Sequence, residues 1–167
     1  MQPRREFQIS VTKDHLVFAA AHFITLPGDR CEPLHGHNYR TRIAVAGALD
    51  PTAHLVFDFA ALKQVMRTLV DELDHRVLLP LENPHLRVQR EGDDVTVAYR
   101  DRARYRFPAG DCALLPIPNT TVEMLARYLA TRARAALEQA GASLLTSLEV
   151  EVEENFGQSA SYRESLA

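Results

Sequence analysis

The segment from Cys31 to Tyr39 concentrates side chains that can do chemistry. It reads Cys-Glu-Pro-Leu-His-Gly-His-Asn-Tyr, and a single glycine separates its two histidines, His35 and His37. The residues that follow alternate as in a β-strand, in which side chains two positions apart share a face. The two imidazoles therefore point the same way and can offer two nitrogen ligands to one metal ion. Gly36 leaves the opposite face uncrowded at this point.

A third imidazole is placed to join this pair. His22 ends an apolar run that starts at Leu16 and also reads as a strand. If the chain reverses direction between the two strands, His22 lies beside His35 and His37. Three neutral imidazoles that leave one coordination position open are typical of a catalytic zinc site rather than a structural one. Cys31 is the nearest thiol in sequence, although a buried, inert thiol is the commoner fate of a cysteine.

The composition is that of one ordinary globular domain. The chain has 167 residues, of which 46% are hydrophobic and 25% are charged, and its formal net charge is -3. A negative charge argues against nucleic-acid binding through phosphate neutralisation, and no apolar run approaches the length of a membrane span. The first residues do not resemble a signal peptide, and two cysteines are too few for a disulfide framework. We therefore expect a cytoplasmic protein with reduced thiols.

Hydrophobic periodicity predicts the elements that would position these side chains. Strands are expected at 7–22, 35–46, 148–153 and 161–163, and helices at 59–73 and 120–141. The first strand is expected to bend near Lys13. Asp58 is a good N-cap for the first helix, Thr120 to Glu123 forms a capping box at the start of the second, and Gly141 closes it.

The stretch 80–118, between the two predicted helices, has a different character. Three short segments at 86–91, 95–100 and 104–107 alternate apolar and charged residues and are separated by turn signals. They predict an inserted β-meander with one wet face, whose purpose the sequence leaves open. The whole chain, 1–167, is thus predicted to be a single α+β domain. An antiparallel sheet carries two helices on one face, in the order ββααββ, with the meander between the helices.

The chain resembles the 6-pyruvoyl-tetrahydropterin synthase family, including its bacterial branch, 6-carboxytetrahydropterin synthase. The matching motifs run in the family's order through Phe18 to His22, Cys31 to Tyr39, Val56 to Lys63, Leu73 to His75, Asn119 to Glu123, and Val152 to Glu154, with Tyr162 near the end. The resemblance implies a T-fold (tunnelling fold). It also implies a homo-oligomer, commonly a trimer or hexamer, with active sites at subunit contacts and a small-molecule pterin as substrate.

The resemblance also assigns catalytic roles. The family's zinc ligands would be His22, His35 and His37. Its thiol base would be Cys31, assisted by the pair Asp74 and His75. Zinc would lower the pKa of the substrate's side-chain hydroxyls, and a thiol near a histidine or another cation can ionise close to neutrality. A base with such a tuned pKa is what proton removal at the adjacent carbon requires.

Three further residues match positions around the family's pterin pocket. Glu154 would anchor the pterin, because a carboxylate can accept paired hydrogen bonds from the amino group and the ring N–H. Thr121 and Glu123 match the family's threonine and glutamate near the same pocket. From the sequence alone, Glu154 could equally be a solvated strand carboxylate.

The function implied by the resemblance is that of a zinc-dependent lyase. It would convert 7,8-dihydroneopterin triphosphate to 6-carboxy-5,6,7,8-tetrahydropterin with release of acetaldehyde and triphosphate, for queuosine and deazapurine synthesis. The Cys-x-x-x-His-Gly-His spacing resembles the bacterial branch.

Two departures from the compact bacterial pattern keep alternatives open. The stretch 80–118 makes this chain longer, and Glu32 follows Cys31 directly. Some relatives that serve folate synthesis carry a glutamate in place of the cysteine. The alternatives are 6-pyruvoyltetrahydropterin formation, aldolase-like cleavage to 6-hydroxymethyl-dihydropterin with the help of Glu32, and, in another class, pterin or metal binding without turnover.

Overall fold

Eleven β-strands and two α-helices make up residues 6–166, the part of the chain that the computed structural model describes. The strands are β1 Phe7–His22, β2 Thr25–Leu26, β3 Arg30–Cys31, β4 His35–Gly47, β5 Arg76–Pro80, β6 Leu86–Glu91, β7 Asp94–Tyr99, β8 Arg102–Pro108, β9 Cys112–Leu115, β10 Leu145–Asn155 and β11 Gln158–Ser165. The helices are α1 Phe59–Asp71 and α2 Val122–Gln139. Within this part of the chain, no helix is long and apolar enough to cross a bilayer.

The main sheet has six strands in the order β11-β10-β4-β1-β5-β9. The strands β11, β10, β4 and β1 pair antiparallel, as predicted, whereas β5 and β9 extend one edge in parallel. These two short strands were not predicted. They are nearly continuous apolar runs, and buried parallel strands lack the alternation by which a strand is recognised in sequence. The α+β class and the placement of two helices against one sheet are confirmed.

The helices cover the face of the sheet that carries the core. Helix α1 buries Leu62, Met66, Leu69 and Val70, and α2 buries Leu125, Ala126, Leu129, Ala130, Ala133 and Leu137. Asp58 caps α1 as predicted, since its carboxylate accepts a hydrogen bond from Ala61 N at 2.7 Å. The cap of α2 lies one residue later than predicted. The hydroxyl of Thr121 accepts from Met124 N, because that of Thr120 donates instead to the carbonyl of Phe23.

Strands β1 and β4 form the longest pairing in the sheet. The register is regular from Phe7 to Thr12, shifts between Thr12 and Val17, and is regular again up to His22, which lies opposite His35. The predicted bend near position 13 coincides with this irregularity. Because a one-residue change of register moves a side chain to the other face, the pairing beyond the irregularity decides which way the histidines point.

The inserted segment forms a separate three-stranded antiparallel sheet, β6-β7-β8, close to the three predicted segments. Its buried residues Val95 and Val97 pack with Phe23 and Leu79 in a second hydrophobic cluster. The last part of the segment, β9, leaves this inserted sheet and joins the main one. Burial of these apolar side chains fixes the inserted sheet against the loop that follows β1.

Gly47 is predicted to be intolerant of a side chain. It ends β4 between Phe7 and Leu145, and a Cβ there would collide with the carbonyl oxygen of Leu144. We expect Gly47→Ala to lower the free energy of unfolding by about 1–3 kcal/mol, as overpacking does. Gly110→Ala is the control, because among residues 6–166 no atom lies within 4 Å of a Cβ at that position. Equal stability of the two variants in urea denaturation would contradict the expectation.

Candidate metal centre and active site

Four side chains from three adjacent strands converge at one end of the main sheet. His22 ends β1, His35 and His37 begin β4, and Glu154 lies near the end of β10. One potential ligand atom from each residue lies within 4.8 Å of the others. This group, called the imidazole group below, contains the three predicted ligands and one residue predicted for another role. It could hold a metal ion.

Two of the imidazoles are oriented by backbone carbonyls. His22 Nδ1 lies 2.8 Å from Thr120 O, and His35 Nδ1 lies 2.9 Å from Pro33 O. A carbonyl oxygen only accepts, so both Nδ1 atoms must carry the proton. The Nε2 atom of each ring then presents a lone pair. This is the arrangement found in metal-binding histidines, whose second nitrogen is held by a carbonyl or a carboxylate.

The remaining ring nitrogens fit a bound cation better than any partner within the chain. His22 Nε2 and His37 Nε2 are buried and make no hydrogen bond in the described part of the chain. Buried polar atoms are almost always satisfied, so two buried ring nitrogens without a hydrogen bond in one place point to a bound ligand. Burial lowers the pKa of His22, which keeps the ring neutral and able to coordinate.

Glu154 lies within the imidazole group rather than beside it. Its Oε1 is 2.6 Å from His37 Nε2 and 3.6 Å from His22 Nε2, and neither contact has the geometry of a hydrogen bond. A carboxylate oxygen is itself a zinc ligand in many sites. Its role as the pterin anchor therefore stays a prediction, and this position gives it a second candidate role as a fourth ligand.

Cys31 and Glu32 face different surroundings. The Cys31 side chain packs against the second hydrophobic cluster, and burial raises the pKa of its thiol, an effect that Arg104 partly offsets. Glu32 Oε2, in contrast, lies 3.9 Å from His35 Nε2. Of the two candidate bases in this loop, the carboxylate is thus the one beside the imidazole group.

The inserted sheet holds the loop that carries both of these residues. Arg104 Nη2 donates to Cys31 O at 3.3 Å and to Glu32 O at 2.7 Å. The backbone N–H of Leu34 donates to the hydroxyl of Tyr105 at 3.1 Å. The sequence could not reveal these contacts, because their partners are backbone groups that every residue possesses. The insertion therefore borders the candidate active site.

Asp74 and His75 pair with each other. The carboxylate accepts from Ala19 N at 2.8 Å and lies 2.9 Å from His75 Nδ1. Partial burial alone would raise the pKa of Asp74, but these hydrogen bonds outweigh it and the pKa is lowered. His75 is 83% exposed and has a left-handed backbone, with φ of 57°, an uncommon conformation for a histidine.

The structure does not bring His75 to Cys31. His75 lines a cavity of about 510 Å³ together with His37, whereas Cys31 lines a different cavity, on the side of the inserted sheet. Within one chain, the predicted pair and the predicted thiol therefore approach the imidazole group from separate directions.

Thr121 and Glu123 reach the site only indirectly. Thr121 caps α2, and Glu123 is exposed in the first turn of that helix. Their neighbour Thr120 supplies the carbonyl that orients His22, a role that sequence reasoning missed because it belongs to the backbone. Asn119 fixes this segment by donating to Thr25 O and accepting from Thr25 N. The motif therefore contributes structurally to the imidazole group.

Comparisons with known proteins agree with this geometry. The family model for 6-pyruvoyl tetrahydropterin synthase matches residues 10–165. A putative 6-carboxy-5,6,7,8-tetrahydropterin synthase of Methanocaldococcus jannaschii is 34% identical over 151 residues, which are 90% of this chain and 91% of the relative. A protein of the same description from Pyrococcus horikoshii is 27% identical over 128 residues, 76% of this chain and 73% of the relative.

A solved structure aligns with this chain over nearly its whole length, including the inserted segment 80–118. The 6-pyruvoyltetrahydropterin synthase of Plasmodium vivax, solved as a variant in which a catalytic glutamate is replaced by alanine, aligns with a TM-score of 0.90 and 27% identity. The alignment covers 98% of this chain and 100% of the Plasmodium chain, which leaves no room to omit 80–118. The resemblance in sequence is thus confirmed by fold and family. The chain belongs to the 6-pyruvoyl tetrahydropterin synthase family and is a lyase-type enzyme with a small-molecule pterin as substrate.

Proposed function

We propose that this enzyme is a zinc-dependent lyase that converts 7,8-dihydroneopterin triphosphate to 6-carboxy-5,6,7,8-tetrahydropterin, with release of acetaldehyde and triphosphate, in queuosine and deazapurine synthesis. The observation that carries the proposal is the convergence of His22, His35 and His37 with two buried, unpartnered nitrogens. Three imidazoles suit zinc and leave a position open for substrate. The archaeal relatives named for this reaction support the choice of product.

The protein's own residues would then orient the metal and move the proton. Zinc bound at the imidazole group would polarise the hydroxyls of the substrate's side chain. The carbonyls of Thr120 and Pro33 hold two rings in the ligating tautomer. Cys31 would remove the proton as thiolate, and Asp74 would hold His75 so that its Nε2 exchanges a proton with the substrate.

Substrate binding is proposed for the residues that match the family's pocket. Glu154 would accept the paired hydrogen bonds of the pterin's amino group and ring N–H when it is not engaged as a metal ligand. Thr121 and Glu123 would act from a neighbouring subunit. This arrangement is supported by the exposure of Glu123 in the first turn of α2 and by the exposure of His75.

We propose that the protein self-associates as a trimer or hexamer, because one chain does not bring all the predicted site residues together. Cys31 and His75 line different cavities of one chain, and a second copy would bring residues with the two predicted roles to one site. We propose a cytoplasmic location because Cys31 and Cys112 are both free thiols.

A second candidate reaction is the aldolase-like cleavage to 6-hydroxymethyl-dihydropterin, with Glu32 as the base. The specific observation in its favour is that the carboxylate of Glu32, and not the thiol of Cys31, lies beside His35. The catalytic residue replaced in the Plasmodium vivax enzyme is also a glutamate. The chain could support either reaction or both.

Product analysis tests the proposal. Zinc-loaded enzyme is mixed with 7,8-dihydroneopterin triphosphate, and the products are separated and identified. Acetaldehyde released in equal amount to triphosphate is the expected result. Triphosphate without acetaldehyde would instead identify the 6-pyruvoyl product, and hydroxymethyl-dihydropterin would identify the aldolase-like reaction. Tight pterin binding without any product would overturn all three and leave a binding protein.

A further inference from the structure

A surface cavity of about 750 Å³ lies between the β2–β3 hairpin and the inserted sheet. Three arginines line it, Arg30 from β3 and Arg102 and Arg104 from β8, together with Cys31 and Glu32. It is separate from the cavities that His37 lines. Metal binding, proton transfer and pterin binding do not require a cluster of guanidinium groups at this place.

The positive charge in this cavity is largely uncompensated. Asp29, which also lines it, is paired with Arg100 at 2.8 Å and accepts a hydrogen bond from Tyr99. Arg30 and Arg102 are exposed and have no carboxylate partner among residues 6–166. In the part of the chain that the structure describes, the Arg30 side chain donates a hydrogen bond to the carbonyl of Pro27 and to no carboxylate. Free guanidinium groups over one cavity favour an anionic ligand.

Arg104 adds a third positive charge that is already fixed in place. Its Nη2 is held by the carbonyls of Cys31 and Glu32, which are neutral and do not compensate the charge. Its Nε is buried and makes no hydrogen bond in the described part of the chain. A buried donor without a partner is costly, and an oxygen of a bound anion would satisfy it. Among the described residues that line the cavity, Asp29 is paired with Arg100, and Glu32 is the carboxylate that has no arginine partner.

We propose that this cavity binds the triphosphate of the substrate, through Arg30, Arg102 and Arg104. Guanidinium groups bind phosphate oxygens through two parallel hydrogen bonds, so they are suited to a polyphosphate. Glu32 connects the two places, because it lines the cavity while its carboxylate lies 3.9 Å from His35. The inference rests on the proposed function. A triphosphate ends the same three-carbon side chain whose hydroxyls would face the imidazole group.

The cavity would give the inserted sheet a role in specificity. Two of the three arginines belong to β8, so a chain without the insertion would lack them. The triphosphorylated substrate would then be preferred to the unphosphorylated dihydropterin. The carboxylate of Glu32, which has no arginine partner in the described part of the chain, would keep the phosphates towards Arg30 and Arg102, away from the imidazole group.

Binding of inorganic triphosphate to the zinc-loaded enzyme tests the inference without requiring turnover. Titration calorimetry is carried out on wild type, Arg30→Gln, Arg102→Gln and the double variant. Each single change is expected to weaken binding about tenfold and both together about a hundredfold, as for charge-assisted hydrogen bonds. Zinc content is measured before and after, because triphosphate can chelate metal.

Arg87→Gln is the matched control, since this exposed arginine lies on the inserted sheet, pairs with Asp101 and is outside the cavity. It should bind triphosphate like wild type. Equal weakening by Arg87→Gln would show a general charge effect and overturn the inference. Unchanged affinity in the Arg30 and Arg102 variants would also overturn it.

The reaction itself supplies an independent second measurement. In the Arg30 and Arg102 variants, KM for 7,8-dihydroneopterin triphosphate should rise by the same factors while kcat changes little. Turnover with an unchanged KM would refute triphosphate binding by these arginines and leave the proposed function intact. The enzyme could instead bind triphosphate through these arginines and release none of the expected products. That result would support the cavity as a triphosphate site and refute the proposed function.

Discussion

Replacing His37 with alanine is expected to remove bound zinc and to lower kcat by about a thousandfold, because metal polarisation is worth several kcal/mol and about 1.4 kcal/mol corresponds to a factor of ten. His37 Nε2 is a buried nitrogen without a hydrogen-bond partner, and the ring is only 14% exposed. Metal analysis of the purified protein measures the first effect and steady-state kinetics the second. His85→Ala is the control, because His85 is exposed and lies on the inserted segment away from this group.

Retention of one zinc per chain in His37→Ala would contradict the ligand assignment. A companion variant, Glu154→Gln, separates the two roles open to that carboxylate. If Glu154 is the pterin anchor, Glu154→Gln should weaken pterin binding and leave the zinc content unchanged. If Glu154 is a fourth ligand of the metal, the same variant should lower the zinc content instead. The distance of 2.6 Å between Glu154 Oε1 and His37 Nε2 is the observation in favour of the second outcome.

Replacing Cys31 with alanine is expected to abolish acetaldehyde formation, with a loss of about a hundredfold to ten-thousandfold, the usual contribution of a general base. Zinc and pterin binding should be retained, since the thiol packs against the second hydrophobic cluster and not against the imidazole group. Glu32→Gln is the matched partner. It should still release acetaldehyde as its product and should eliminate any hydroxymethyl-dihydropterin. Full acetaldehyde release by Cys31→Ala would remove the thiol as the base.

The pH dependence of this reaction adds a second test of the thiol. Burial raises the pKa of Cys31, and the nearby Arg104 only partly opposes this. A base acts in its deprotonated form, so the fraction of active enzyme rises as pH rises through the thiol's pKa. The rate of acetaldehyde release should therefore keep increasing on the alkaline side. A rate that is flat from neutral pH upward would exclude Cys31 as the base.

The elements that carry the imidazole group could be predicted from sequence because they alternate. Strand β1 was predicted with its observed ends, and β4 to within one residue. The i, i+2 spacing of His35 and His37 then required a shared face. That His22 lies opposite His35 followed only if the chain reversed between them, which the pairing of β1 with β4 confirms.

The direction of Cys31 could not be predicted from sequence. Strand β3 contains two residues, so no alternation pattern identifies which face each side chain takes. The family resemblance suggested a thiol facing the substrate, whereas the Cys31 side chain packs against the second hydrophobic cluster, which contains Phe23 and Leu79. Phe23 lies in the loop after β1 and Leu79 lies in β5, so the two are distant in sequence from each other. Packing across such separations leaves no local pattern.

Direct opposition of His22 and His35 in the sheet has an evolutionary consequence. Their relative position is set by the hydrogen-bonded ladder between β1 and β4, and not by the twelve residues that connect them. Apart from Pro33, whose carbonyl orients His35, that connecting segment can therefore change in length or in docking partners while the two histidines stay opposite each other. Natural diversification of the reaction can act on the connection, because the pairing of β1 with β4 sets the relative position of the two histidines.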